Sequence, residues 1–584
     1  MKSRLLLIAY TISGLAALVY ELGWMRELSA MLGATAYASG TMLAAYMFGL
    51  GLGALVGTWR GRRSLAPLID ASFAELGVAL FSIAAFAGIR FLPGLYFNWM
   101  RSAGRGTAGG FLTLQFFVCF LIMVLPTFAM GMTYPLIMSS VGNQKHLGAA
   151  AGRLYAVNTG GAIAGSLLAT FAFLPTIGVK GSLIVAAALS ILAAVLLRAI
   201  ASGQKPDLLA LFRRPVTVAL AVVTIVGVSI IPSRSGSPLG LGQAFYYKSA
   251  ASFKELSGQR STLYDREGIY SRVQVTENPD GTKTLSNGAL DEGTNNLYDR
   301  VTTTLLSAVP AMSTEASRSA FVLGLGTGYT SQTYAELGFA RIMTVEINPD
   351  VGGAAEFFTG SKADVGDTSG GWGQNTSLLS TRTTGPTLPQ IGESGPWQVV
   401  IDDARAHLLT SPARYDCITS EPSWPWSSGV AALFTEEFMS AAKSRLEPGG
   451  VYCQWLPNYL LESRDVAMMY KTMRKVYPRV DIWSINFPDS PDGELLLIGH
   501  TSATGGLSQA QIKARLDALL KSHNFNNPYL TADSITPSAQ TATIRELAAR
   551  KSTPINTDDH STLEYRVFWN YLARAFSRTS VLEQ

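Results

Sequence analysis

Apolar residues fall into two arrangements along this 584-residue chain: long unbroken runs up to residue 232, then short runs punctuated by turn residues. Runs long enough to cross about 30 Å of hydrocarbon lie near 5–22, 35–58, 68–89, 111–140, 154–174, 178–197 and 215–232. A membrane domain of about seven helices over 1–232 is therefore expected. Pro126 and Pro135 interrupt the fourth run, which leaves open a kinked helix or two short segments. Gly49, Gly51, Gly53 and Gly57, and later Gly160, Gly161 and Gly165, recur at spacings that predict close helix packing. Lys2 and Arg4 precede the first run as in a signal peptide, but the succession of further runs predicts an uncleaved helix. Glu21 and Arg26 fall just past that run and are expected at the membrane interface.

The second arrangement begins after a Ser-, Gly- and Pro-rich linker, 233–262. Residues 270–277 and 282–287 alternate like paired strands around the turn Asn278, Pro279, Asp280, Gly281, predicting a small β-hairpin domain over 263–317. From Ser319 the pattern becomes strand, glycine turn, helix, strand. Ala320–Leu323 leads into Gly324, Gly326 and Gly328, and the next strand ends at Glu346. Glycines there let backbone approach a nucleotide at a helix N-terminus, and an acid about 20 residues on is placed for both ribose hydroxyls. Val399–Ile401 reads as a strand ending in Asp402 and Asp403, where an acid is placed to accept from an adenine amino group. Tyr415–Thr419 runs into Ser420 and Glu421, and ligands in open α/β sheets lie over such strand ends. The helix Thr435–Leu446 and strand Val451–Trp455 follow, with Val480–Ile485 and Glu494–Ile498 closing the sheet as an antiparallel pair. The expected fold is thus a multi-pass helical membrane domain, a small β domain, and a Rossmann-like doubly wound sheet over 318–503. Residues 359–398, rich in Gly, Ser and Thr, read as an insertion that is either a lid or disordered, and 504–584 as a C-terminal helical extension.

Charge excludes one class and complicates another. The net +5 is scattered, with no basic patch for nucleic acid. Lys2, Arg4, Arg60, Arg62, Arg63, Lys145, Arg153, Arg198, Lys205, Arg213 and Arg214 fall on what should be the cytoplasmic side. Seven spans would then put the C-terminal half opposite the cytosol, where adenosyl nucleotides are made, so its side stays open. Three cysteines form no CxxC pattern and read as buried thiols, and five histidines show no metal-ligand spacing. Asn556 to Asp559 reads as a cap or turn.

The ordered set GlyLeuGlyThrGly (324–328), ValGluIleAsnPro (345–349), AspAspAlaArg (402–405), TyrAspCysIle (415–418), LeuPheThrGluGluPhe (433–438) and GluProGlyGly (447–450) resembles the spermidine synthases, the polyamine aminopropyltransferases. The whole chain is similar to the branch fused to an N-terminal multi-spanning domain, with which residues 152–162, SerGluPro (420–422) and AsnThrAspAsp (556–559) also agree. The resemblance implies that Gly324, Gly326 and Gly328 cradle the adenosyl group of decarboxylated S-adenosylmethionine or S-adenosylmethionine, that Glu346 holds its ribose, and that Asp403, beside Asp402, holds its adenine. It implies Glu421 as the base, Tyr298, Trp424 and Trp426 as substrate contacts, no metal, and a homodimer by family analogy alone.

Two departures stand out. Thr327 replaces the acid that grips the donor's propylamine, and the catalytic loop Asp-Ser-Ser-Asp reads Glu421, Pro422, Ser423, Trp424. Asp299 stands where the family has a His after its Tyr. With one loop carboxylate gone, the acceptor is expected to be an amine other than simple putrescine, polyamine-like or membrane-associated. Two other readings are weighed beside this transferase in a bilayer of the bacterial inner (plasma) membrane. One is a polyamine or nucleoside transporter or sensor with a non-catalytic ligand domain, and the other is a methyltransferase.

Overall fold

A computed structural model describes residues 2–103, 108–141, 147–203, 258–359 and 396–577, apart from 289, 316–317, 428, 488–489, 504–505, 524 and 526. Between 204 and 257 it describes only 226–227, 231 and 254–255, so the apolar run 215–232, most of the linker and residues 360–395 lie outside it. Two compact units divide the chain, the first ending at Glu255 and the second running Leu256–Arg578.

The first unit is a bundle of helices: α1 Lys2–Leu32, α2 Ala36–Arg63, α3 Pro67–Phe91, α4 Pro93–Ala103, α5 Ala108–Val141, α6 Leu147–Leu168 and α7 Leu174–Ser202, with a π turn at Ala169–Phe173. Among the described residues, five helical runs are long and apolar enough to cross a membrane, the last being the 56 residues Leu147–Ser202. That last run is two lengths, because Gly178 has φ 66 and ψ 179, which breaks the helix and which an L side chain rarely adopts. α5 keeps Pro126 and Pro135 inside one helix, settling the alternatives for the fourth run. α1 continues past the first apolar run to Leu32, so Glu21 and Arg26 both lie within this helix.

Glycines explain how the bundle packs. Gly49, Gly53, Gly57 and Gly61 share one buried face of α2, where an added Cβ would run into Thr127, Phe128, Met132 and Ser139 of α5. Gly161 and Gly165 meet the backbone of Thr11 and Leu15 in α1 in the same way. Gly51 and Gly160 face open space and take no part.

The second unit opens with a four-stranded antiparallel sheet in chain order: β1 Ser261–Glu267, β2 Arg272–Glu277, β3 Lys283–Asn287 and β4 Leu290–Thr294. The expected hairpin is its centre, turned where Asp280 accepts from Thr282 N at 2.8 Å. Helix α8, Leu297–Ser313, starts on Asn296, whose side chain accepts from Tyr298 N.

Next come β5 Ser319–Leu323, α9 Tyr329–Glu336, β6 Arg341–Glu346, α10 Pro349–Thr359, β7 Trp397–Ile401, α11 Ala404–Thr410, β8 Tyr415–Ser420, α12 Glu436–Ser444, β9 Leu446–Leu456, α13 Ser463–Val476, β10 Arg479–Phe487, β11 Ser490–His500, α14 Gln509–Ser522, β12 Ile535–Pro537, α15 Thr541–Ala549 and α16 Thr562–Ser577. The sheet order is β12-β10-β11-β9-β8-β5-β6-β7. β9, β8, β5, β6 and β7 are parallel neighbours, and β11, β10 and β12 add antiparallel.

β5 and β8 are buried along their full length, as central strands covered on both faces are, and β8 buries Asp416, Thr419 and Ser420 along with its apolar residues. The segment 504–584, expected as helical, also supplies β12, whose three residues pair with Trp483–Ile485 at the sheet edge. In the AsnThrAspAsp turn, Asn556 donates to Phe434 O at 3.0 Å and accepts from Leu563 N at 3.1 Å, and Asp558 pairs with Arg405. All three cysteines are buried and free.

Candidate active site

The site sits where the central strands end. After β5 the backbone turns through Gly324, Gly326 and Gly328, with φ 82, 52 and 82, into the N-terminus of α9. Three left-handed residues in five exclude ordinary side chains, and a Cβ on Gly328 would also press on the Thr359 methyl.

Glu346, the last residue of β6, locks this loop. Its carboxylate accepts from Leu325 N at 2.9 Å and Asn348 N at 2.8 Å. Burial raises its carboxyl above the usual range, while these N–H groups pull it back. Both oxygens keep further acceptor capacity, which a ribose diol could use.

Asp402 and Asp403 stand at the end of β7, both exposed. Asp402 N donates to Glu346 O at 3.0 Å, and its carboxylate accepts from Asp403 N and sits 3.2 Å from His407 Nδ1. Asp403 caps α11, accepting from Ala406 N at 2.7 Å.

Glu421 follows β8 directly, and Thr330 in the first turn of α9 donates to it at 3.2 Å. Burial pushes its carboxyl up to about 8, helped by the negative charges of Glu494, Asp299 and Glu292. These three come from elsewhere in the chain. Glu292 in β4 accepts from Ser423 at 2.7 Å, and burial raises it to about 7. Glu494 in β11 accepts from Thr302 at 2.7 Å and from the Trp455 indole at 3.0 Å, and burial raises it to about 7. Asp299 in α8 accepts from Thr294 N at 2.9 Å and Thr294 Oγ1 at 2.6 Å, and burial raises it too. Each of the four keeps some exposed surface, so they line an opening.

Aromatic rings complete the lining. Trp424 and Trp426 meet edge to face with centroids 4.5 Å apart, and Tyr298 stacks on Tyr529 at 4.3 Å.

The motifs in the sequence single out Glu421, Glu346 and the glycines but not Glu292 or Glu494, and Asp299 only as standing where a His is lost. The available signals were slight: the acid pair Asp291–Glu292 within a strand, and an acid directly before LeuLeuLeuIle (495–498).

Residues 390–503 match the spermine/spermidine synthase domain. A polyamine aminopropyltransferase of Corynebacterium efficiens is 23% identical over 470 residues, and one of Mycobacterium tuberculosis is 25% identical over 467; each alignment covers 76% of both chains. Those alignments are longer than the second unit, so they run back into the helical one. A spermidine synthase crystallised with the transition-state analogue AdoDATO superposes over 49% of this chain and 88% of its own, at 15% identity and a TM-score of 0.38. With its ordered motifs, its matched synthase domain over 390–503 and relatives aligned over 76% of its length, the chain is similar to the polyamine aminopropyltransferases and carries an N-terminal bundle of apolar helices.

Proposed function

We propose that the second unit transfers the aminopropyl group of decarboxylated S-adenosylmethionine to an amine carrying more than two positive charges, and that the apolar helices hold it at a bilayer. The relatives' activity supports the reaction type. The single observation that carries the acceptor is the convergence of Glu292, Asp299, Glu421 and Glu494. Burial raises all four, so a bound cation would favour the charged form of each, and a diamine supplies only two. This agrees with an acceptor other than simple putrescine. It changes the reason, because the carboxylate absent at Trp424 is replaced from β4, α8 and β11.

In the reaction, the acceptor nitrogen lone pair forms a bond to the propyl carbon next to the sulfonium. The carbon–sulfur bond breaks, sulfur keeps the pair, and neutral methylthioadenosine leaves. Glu421 takes the ammonium proton, and a carboxylate raised toward 8 is matched to an amine base role near neutral pH. The glycine loop and Glu346 would hold the nucleoside, with Asp402 and Asp403 at the adenine end. Gly293 packs on Thr327, which brings the neighbouring Glu292 toward the glycine loop, where it can supply the charge for the donor's primary amine.

The test is mass spectrometry of full-length protein in detergent with the decarboxylated donor, the parent S-adenosylmethionine, and a graded set of diamines, triamines and tetraamines. Methylthioadenosine formed with the longer amines, and lost in Glu421→Gln, is the expected result. S-adenosylhomocysteine instead would make this a methyltransferase, and donor binding without either product would favour a sensor or transporter.

A further inference from the structure

The first unit hides a second buried acid. Glu75 in α3 is 2% exposed, and the Ser13 hydroxyl of α1 donates to its carboxylate. Among the described residues no Lys, Arg or His forms an ion pair with it. About four helix turns on, Glu27 of α1 and Arg90 of α3 pair at 3.0 Å, with side chains 7% and 9% exposed. These two contacts fix α1 and α3 side by side and parallel, since both numbers rise from the first contact to the second. Fifteen residues of α3 separate Glu75 from Arg90, which is about 22 Å of helix and most of a bilayer's apolar thickness.

The residues between them on the shared face are polar at helical spacing. α1 contributes Ser13, Tyr20, Trp24 and Glu27, and α3 contributes Ser72, Glu75, Ser82 and Arg90, with Ser190 reaching in from α7 and Thr133 from α5. Tyr20, Trp24, Ser72, Ser82 and Ser190 are at most 3% exposed. The Tyr20 hydroxyl lies among Ser82, Ser190 and Glu75, yet Tyr20 Oη, Ser72 Oγ, Ser190 Oγ and Trp24 Nε1 make no hydrogen bond in the structure. Buried polar groups left open in an apolar bundle are costly, so they point to something that satisfies them.

Most of the groups between Ser13 and Ser190 are hydroxyls that can both accept and donate. We propose that Glu75 is a proton-binding site and that the hydroxyl-lined seam between α1 and α3 is the path by which the proton reaches it. The proton adds to a carboxylate oxygen of Glu75, leaving a neutral acid hydrogen-bonded to Ser13, and a neutral acid is what an apolar bundle tolerates. Of the other titratable groups around Glu75, Tyr10 and Tyr20 come from α1 and Tyr134, stacked on Tyr10, from α5. Arg198 of α7 lies over the Phe73 ring, Asp70 is held by Arg60, and Tyr96 of α4 turns toward Gln115 and Cys119. This inference concerns the first unit alone and stands whether or not the second unit transfers aminopropyl groups.

The test is infrared difference spectroscopy of the full-length protein in liposomes of neutral phospholipid, stepping between acid and alkaline buffer in H2O and in 2H2O. A protonated-carboxyl band that shifts in 2H2O, disappears in Glu75→Gln and survives at a new frequency in Glu75→Asp is expected. After a rapid pH step, Tyr20→Phe and Ser190→Ala should keep the band but form it several-fold more slowly. Circular dichroism matching the wild type certifies each variant's fold. Spectra identical in wild type and a folded Glu75→Gln protein would overturn the site, and unchanged rates in Tyr20→Phe and Ser190→Ala would overturn the path.

Discussion

The two units bury acids by opposite means. In the second, Glu292, Asp299, Glu421 and Glu494 crowd an opening at the strand ends, each held by a hydroxyl, indole or backbone donor and each retaining contact with solvent. In the first, Glu75 has one hydroxyl donor from Ser13 and almost no surface. Solvent access is the lesson. Acids that keep some surface can give up their protons as a soluble cation arrives, whereas an acid sealed among apolar helices needs a partner small enough to reach it.

The strongest challenge to this contrast is Glu421→Gln. If the opening is catalytic, methylthioadenosine release should fall by roughly 10²–10⁴-fold while donor binding persists, and an unchanged rate would move the base to Asp299. Next in size, Glu494→Gln and Glu292→Gln should raise KM for a triamine by roughly 10–100-fold, the loss expected for one charged hydrogen bond, and less for a diamine. Equal effects on both amines would mean the acids do not count charges.

On the other side of the comparison, Gly53→Leu puts a side chain against the Phe128 backbone and should cost about 1–3 kcal/mol, read as a lower unfolding temperature in detergent. Gly51→Leu, facing open space, is its control and should cost little.

A smaller effect is the pH dependence of stability. Folded carboxyls raised to about 7–8 favour the protonated form, so their contribution is complete below the ordinary carboxylate range and is lost as pH rises through about 8. The unliganded protein should therefore unfold at lower temperature at alkaline than at mildly acidic pH, and a bound polyamine should reduce that slope. The smallest is Thr330→Val. Removing the donor to Glu421 should shift the alkaline-rising limb of the rate profile upward by less than about one pH unit, since one hydrogen bond is worth roughly 1 kcal/mol.

Much was legible in the sequence because local chemistry dictates it. Apolar runs of membrane length could only be helices, Gly324, Gly326 and Gly328 could only be a tight turn, and an acid ending a parallel strand, as Glu346 and Glu421 do, has few places to look but the ligand side. Residues 435–446 gave their helix, trimmed to Glu436–Ser444, through the Thr435 cap. The acids that encircle Glu421 were hidden because β4, α8 and β11 reach one opening only through strand order, with β11 inserted beside β9 and a separate sheet delivering β4. No spacing in the chain records that Glu292 and Glu494 are neighbours of the same carboxylate. In the helical unit the sequence likewise determined length and apolarity. Only tertiary packing decided that Ser13 meets Glu75 and Arg90 meets Glu27, because which helix faces touch is set by glycine-lined contacts between distant segments.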